Sequence, residues 1–207
     1  MLNFLLGTWG AAAPSSAWIA SSVQTRAGIP LSYDAALNYG AVWCATRVLA
    51  EANSVCPILI YRRSEAHDRD LDRDHPANRA LRLQPNPDMG ITSFREGRTM
   101  HQVNWGNGFA EIAMGADGEV ELYPIHPSRV KLPMADERAL GYAYRRKSDS
   151  GGFTLLRASE TLHIPGVLSE DGIWGKGVIQ YARESIGGGL ATEKHGWDYF
   201  GTGAQPK

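Results

Sequence analysis

The run Asp68-Arg69-Asp70-Leu71-Asp72-Arg73-Asp74 places a carboxylate at every second position. A calcium loop begins this way, but it also needs Gly at its sixth position and a bidentate Glu at its twelfth. Counted from Asp68, those positions hold Arg73 and Arg79. The interleaved arginines neutralise the carboxylates. The segment reads as a solvated, self-paired loop, and no metal site is expected.

Gly172-Ile173-Trp174-Gly175-Lys176-Gly177 suggests a phosphate cradle. A P-loop separates its first Gly from Gly-Lys by four residues and follows Lys with Ser or Thr for magnesium. Here the first spacing is too short and Gly177 follows Lys176. A loop entering a helix is the simpler reading. A nucleotide- or small-molecule-binding enzyme that uses the loop between Gly166 and Gly177 is the alternative.

The histidines, His67, His75, His101, His126, His163 and His195, form no HxxxH or HExxH pattern. His75 and His126 each precede a proline, where a turn role is expected. No GxSxG elbow is present. Cys44 falls in the middle of an apolar helical stripe, a poor place for a nucleophile. Nothing in the sequence brings the carboxylates of Glu51, Glu96 and Glu111 together. Arg62-Arg63 and Arg145-Arg146-Lys147 read as solvated strand ends, with a phosphate-backbone contact as the alternative. No catalytic, cofactor-binding or metal-ligating residue is nominated.

The 207 residues are 43% hydrophobic and 21% charged, with a formal net charge of −1. That balance suits one domain plus an appendage and excludes a bulk basic field for clamping nucleic acid. The two cysteines, Cys44 and Cys56, make neither a disulfide framework nor a zinc pattern. Both are expected reduced and buried. Leu2 to Leu6 is too short for a signal core, and no run approaches the roughly 18 apolar residues of a membrane span. A soluble, intracellular protein with no membrane contact is expected.

Residues 1–33 read as an N-terminal arm, with Trp9, Trp18 and Tyr33 suited to anchoring on a neighbour. Asp34 is an N-cap candidate. Leu37, Ala41, Cys44, Ala45, Val48 and Ala52 then recur at helical spacing, which predicts a buried five-turn helix. Ile58-Leu59-Ile60-Tyr61 reads as a strand. Pro76 opens a short helix, and Thr92 or Ser93 caps a longer one. Asn107 to Met114 reads as a strand that turns at Ala116-Asp117-Gly118 and returns until Pro124. Strands follow at Tyr142 to Arg146, Phe153 to Leu156 and Leu162 to Ile164. Val178 to Phe200 reads as a long helix, bent or broken at Gly187-Gly188-Gly189. The class is α+β with an antiparallel, hairpin-rich sheet.

Several segments, in order, resemble the portal proteins of the HK97-like tailed phages. They are the helix from Val42 to Glu51, Pro57 with Tyr61-Arg62-Arg63, and Asp74-His75-Pro76 with Leu81. Next come Gln84-Pro85-Asn86-Pro87, Ser93-Phe94-Arg95-Glu96, and Trp105-Gly106-Asn107-Gly108 with Glu111. Leu122-Tyr123-Pro124, Leu162-His163-Ile164 and Gly203-Ala204-Gln205-Pro206 complete the set. The resemblance runs across residues 40–206. It implies a wing-like α+β domain over 34–174 and a stem-like long helix over 175–207. It also implies that later stem, clip and crown elements would follow, so the chain reads as an N-terminal half.

The resemblance further implies a structural role in a homo-oligomeric ring, usually of twelve subunits, at the head–tail vertex. Double-stranded DNA would pass through it without sequence specificity. The terminase packaging motor, the major capsid protein and head–tail connector proteins would be its partners. Its place would be the virion, and the host cytoplasm during assembly. A remnant that does not assemble is the further alternative. Gly188 and Gly189 depart from the good helix formers usual in that family.

Overall fold

The computed structural model describes residues 22–63, 69–115, 118–131, 141–144, 153–166 and 174–204. Trp9, Trp18, Asp68, Asp117, Gly172 and the Arg145-Arg146-Lys147 cluster lie outside the described residues.

The chain opens with a small hairpin of β1 (Val23–Gln24) and β2 (Pro30–Leu31). Helix α1 (Tyr33–Asn38) follows, and Ser32 caps it by accepting a hydrogen bond from the Ala35 N–H at 3.1 Å. Asp34 is therefore inside the first turn, not the cap. Tyr39 adopts an extended backbone, so α2 (Gly40–Ser54) starts afresh. The single five-turn helix expected from Asp34 is two helices.

The buried face of α2 is the opposite of the one its apolar stripe suggests. Thr46, Ala50 and Ser54 are buried, whereas Ala41, Cys44, Ala45, Val48 and Ala52 face outward. The hydroxyls can be buried because each bonds its own helix: Thr46 Oγ1 to Val42 O at 2.9 Å and Ser54 Oγ to Glu51 O at 2.7 Å. This polar face packs on α4 (Ile91–Trp105). Cys44 and Cys56 are exposed thiols, which corrects the expectation of burial.

Between these helices run β3 (Tyr61–Arg63), β4 (Arg69–Leu71) and α3 (Asn78–Arg82). Residues Ile58 to Ile60 are not part of β3. Buried Arg95 on α4 donates to the carbonyl of Ser54 at the end of α2, to Cys56 O just beyond it, and to Leu81 O on α3. One guanidinium thus satisfies carbonyls at the ends of two helices. Gly90, not Thr92 or Ser93, precedes α4 as its cap.

Strand β5 (Asn107–Met114) is central, between β6 (Val120–Ile125) and β10 (Thr161–Pro165), both antiparallel to it. Its bounds are those read from the sequence, and Gly118, at φ +82°, lies in the expected turn. Pro124 does not end β6, because β6 is an edge strand and needs no donor on its outer side. A second sheet orders β7 (Val130–Lys131), β8 (Gly141–Tyr144) and β9 (Thr154–Arg157).

Helices α5 (Val178–Tyr181) and α6 (Arg183–Gly201) end the described chain. The break falls at Ala182, and the three glycines expected to break the helix lie inside α6. Gly187 and Gly189 are sites of close approach instead. A Cβ at Gly187 would stand 2.6 Å from Thr25 Cγ2, and one at Gly189 would stand 2.6 Å from the Tyr39 hydroxyl.

Leu31, Tyr33, Ala36, Trp105, Ile179 and Ile186 share one core. Tyr33 stacks on Trp105 at 5.1 Å, so it anchors its own chain and not a neighbour. The expected arm is therefore part of the domain from Val23 onward. The expected start of the stem, at residue 175, likewise falls within this packed region. The class is α+β, with helices against antiparallel sheets.

Candidate functional site

The glycine-rich element that suggested a phosphate cradle ends in a buried crossing. Helix α4 stops at Gly106, which has φ +79°, and β5 begins at the next residue. The backbones of Gly166 and Gly175 press directly against Gly106. A Cβ at Gly166 would stand 2.8 Å from Gly106 O, and one on Gly175 would overlap that oxygen. Gly177 lies on Asn104 O in the same way. Three chain segments can meet here only as glycines.

Asn107, 0% exposed, locks the crossing. Its Nδ2 donates to Gly175 O at 2.8 Å, and its Oδ1 accepts from the Gly175 N–H at 2.9 Å. The same Oδ1 lies 3.0 Å from His163 Nε2, which makes Nε2 the protonated nitrogen. His163 Nδ1 then accepts from the Tyr142 hydroxyl at 3.0 Å. Phe109 stacks on the His163 ring at 4.4 Å, and Trp174 covers Phe109. Burial pulls His163 down to about 4, so the ring is neutral at pH 7.

A Tyr–His–Asn chain has the look of catalytic machinery, but here every member is spent on another. The Gly175 N–H that would face a phosphate belongs to Asn107, and the Gly166 N–H belongs to Gly106 O. The arrangement fixes one neutral tautomer and one backbone path. It is a structural lock.

The other sequence candidates are dispersed. Asp72, one of the alternating carboxylates, accepts from Arg62 at 2.9 Å, and Asp70 lies opposite Arg62 in the β3–β4 ladder. Glu51 pairs with Arg47 at 2.6 Å. Glu96 takes a 3.4 Å contact from Ser54 Oγ, and Glu111 sits on β5. Among the described residues no group of three potential metal ligands forms. His75 and His126 do make turns: each Nδ1 accepts a backbone N–H two residues on. His101 packs against His126 at 4.8 Å and Trp105 at 5.8 Å, and burial lowers it to about 4, the His126 charge adding to the effect.

What the described surface offers instead is apolar area. Besides the outward face of α2, with Val48 at its centre, Trp43 and Leu49 are exposed on the same helix. A groove of about 660 Å³ between α2, α4, α5 and the end of β10 is lined by apolar Leu49, Val103, Ile164, Val178 and Tyr181 and also by polar Asn53, Arg98, Thr99, Gln102 and Lys176. Contiguous exposed apolar surface marks a place where a partner, a ligand or another part of the chain can dock. Periodicity located the apolar stripe of α2 but not its outward orientation. No helix among the described residues is long and apolar enough to cross a membrane.

A family model described as Phage portal protein matches residues 40–207. The chain is 26% identical over 171 residues to the portal protein of Enterobacteria phage HK97, covering 82% of this chain and 39% of that one. It is 28% identical over 181 residues to the probable portal protein of Streptomyces phage phiC31, covering 83% and 38%. The chain thus spans about two-fifths of the length of these curated relatives. Its fold is that of a chain in the neck of a native GTA particle computed with C12 symmetry (TM-score 0.62, 18% identity, 80% of this chain and 42% of that one). It is equally that of a chain in the virion of a native gene transfer agent particle (TM-score 0.65, 17% identity, 100% and 52%).

Proposed function

The chain belongs to the phage portal protein family, and from that premise we propose that it is a structural subunit of a portal ring at the head–tail vertex. The observation that carries the reading is the family match over residues 40–207 combined with the outward apolar face of α2. The helix face of Cys44, Val48 and Ala52 is exposed apolar surface that a contact between neighbouring subunits would bury.

The reading is structural: among the described residues, Asn107 holds the Gly175 end of the candidate cradle and Tyr142, His163 and Asn107 hydrogen-bond one another, which supports a scaffolding role for them. A twelve-subunit ring accords with the C12 symmetry of the similar neck structure. The net charge of −1 suits a wall past which double-stranded DNA slides without being gripped. The terminase motor, the major capsid protein and head–tail connector proteins are the partners such a ring would meet. Its place is the virion, reached through assembly in the host cytoplasm.

Native mass spectrometry tests this on the 207-residue chain beside a version extended to the length of its curated relatives. Closed rings from the longer chain support the reading. A longer chain that stays monomeric at every concentration sinks it. Nucleotide hydrolysis abolished by Lys176→Ala would instead favour the enzyme alternative.

A further inference from the structure

The groove between α2, α4, α5 and the end of β10 carries a positive charge that no carboxylate among the described residues meets. Arg98 on α4 lines it, and its Nη1 donates to the neutral Gln102 Oε1 at 3.2 Å. No Asp or Glu lines the groove among the described residues. Burial, and then the nearby charge of Arg95, lower the pKa of Arg98. The cation is thus held at a cost that an incoming carboxylate would offset. Leu49, Val178 and Tyr181 form apolar walls beside it, each more than half exposed. Walls this open suit a docking face better than a pocket that encloses a small molecule.

The distal half of α6 presents the complementary surface. Glu193, Trp197 and Phe200 follow one another at i, i+4 and i+7 and so share one face. Trp197 and Phe200, at 75%, are the most exposed aromatic side chains among the described residues. Glu193 is exposed and has no cationic partner among the described residues, whereas Lys194 and Asp198 pair with each other at 2.9 Å. One acid and two aromatics thus match one arginine and its apolar walls. None of the three lines the groove of its own chain. Helix α6 starts at Arg183, next to Ala182 at the edge of the groove, and is continuous to Gly201. It rises about 15 Å to Glu193 and about 25 Å to Phe200, so this face cannot turn back into its own groove.

We infer that the distal face of α6 in one copy docks in this groove of the next copy, with Glu193 meeting Arg98 and with Trp197 and Phe200 covering Leu49, Val178 and Tyr181. Charge and apolar surface are complementary between the two faces. The contact joins two different surfaces of the chain, so it leaves a groove open on one copy and a helix face open on the other. Such a contact propagates from copy to copy and can close into a ring. The inference rests on the ring reading and names what fills the groove within it.

Cross-linking in closed rings of the extended chain tests it, on a V178C/G196C variant with Cys44 and Cys56 replaced by Ser. Gly196 lies within the Glu193–Phe200 stripe, and a Cβ there meets nothing within 4 Å. A short bis-maleimide is expected to give a ladder of linked chains on a denaturing gel. Closed rings without a ladder overturn the inference and leave the ring reading standing. An extended chain that forms no ring overturns both. Where the cysteine variant itself does not assemble, exchanging the charges decides. Arg98→Glu and Glu193→Arg should each weaken association between chains by about tenfold, and the double variant should recover most of that loss. A double variant no better than the weaker single overturns the inference.

Discussion

Asn107 closes both hydrogen-bonding ends of its amide on Gly175, a residue 68 positions further along the chain. Because the pair is buried, losing the amide strands a donor and an acceptor at once. Asn107→Ala is expected to cost about 2–4 kcal/mol of stability, read from urea midpoints. Asn107→Asp keeps the acceptor for Gly175 and His163 but loses the donor to Gly175 O, so it should also destabilise. A nucleotide cradle would instead leave stability nearly unchanged in these variants.

Acid should weaken the fold well before the carboxylates protonate. Burial holds His163 and His101 down to about 4 from an ordinary value of 6.5. Between these values the unfolded chain binds protons that the native chain refuses. The stability these rings contribute is complete above about 6.5 and is lost as pH falls through the folded values. Lowering pH from about 7.5 to about 5 should cost about 1–2 kcal/mol for each ring, solvent screening included. His163→Gln should flatten its share of the urea-midpoint profile against pH.

The three adjacent glycines of α6 should respond differently to the same substitution. Gly188 meets nothing within 4 Å, so Gly188→Ala should add about 0.5–1 kcal/mol through helix propensity alone. Gly187→Ala should destabilise, since its Cβ would strike the Cβ end of Thr25, which cannot swing away. Gly189→Ala should fall between the two, because the Tyr39 ring tip it meets can shift. Thermal midpoints of the single variants give the ordering.

Thiol labelling separates the free chain from an assembled one. Cys44 and Cys56 are both exposed and should react with a maleimide without prior unfolding. If the outward face of α2 closes a ring contact, Cys44 in rings of the extended chain should become protected by about tenfold or more. Unchanged labelling in closed rings would remove α2 from the contact.

The sheet was largely legible in the sequence. The Asp117-Gly118 turn cue located β5 and its return, and that signal is local. The α1–α2 region was misread at the level of faces. Thr46 and Ser54 look like surface residues, yet each bonds a carbonyl of its own helix and can be buried. Val48 looks like core and points outward. The glycines of α6 suggested a break, because propensity counts what a glycine lacks and not what its absence of Cβ admits. The lock at Asn107 had no local signal at all: its partners, His163 and Gly175, come from other segments. Even so, Gly106 beside Asn107 already marked a position where backbone comes close.

The core that joins Leu31, Trp105 and Ile186 has a consequence for synthesis. On the ribosome, the residues up to Ile125 can form helices and the β5–β6 hairpin, but they cannot finish their packing. Trp105 stays without its cover, and Asn107 without its partner, until the stretch from Gly175 to Ile186 has left the exit tunnel. Until then the nascent segment carries an open, sticky hydrophobic surface of the kind that aggregates unless it is shielded.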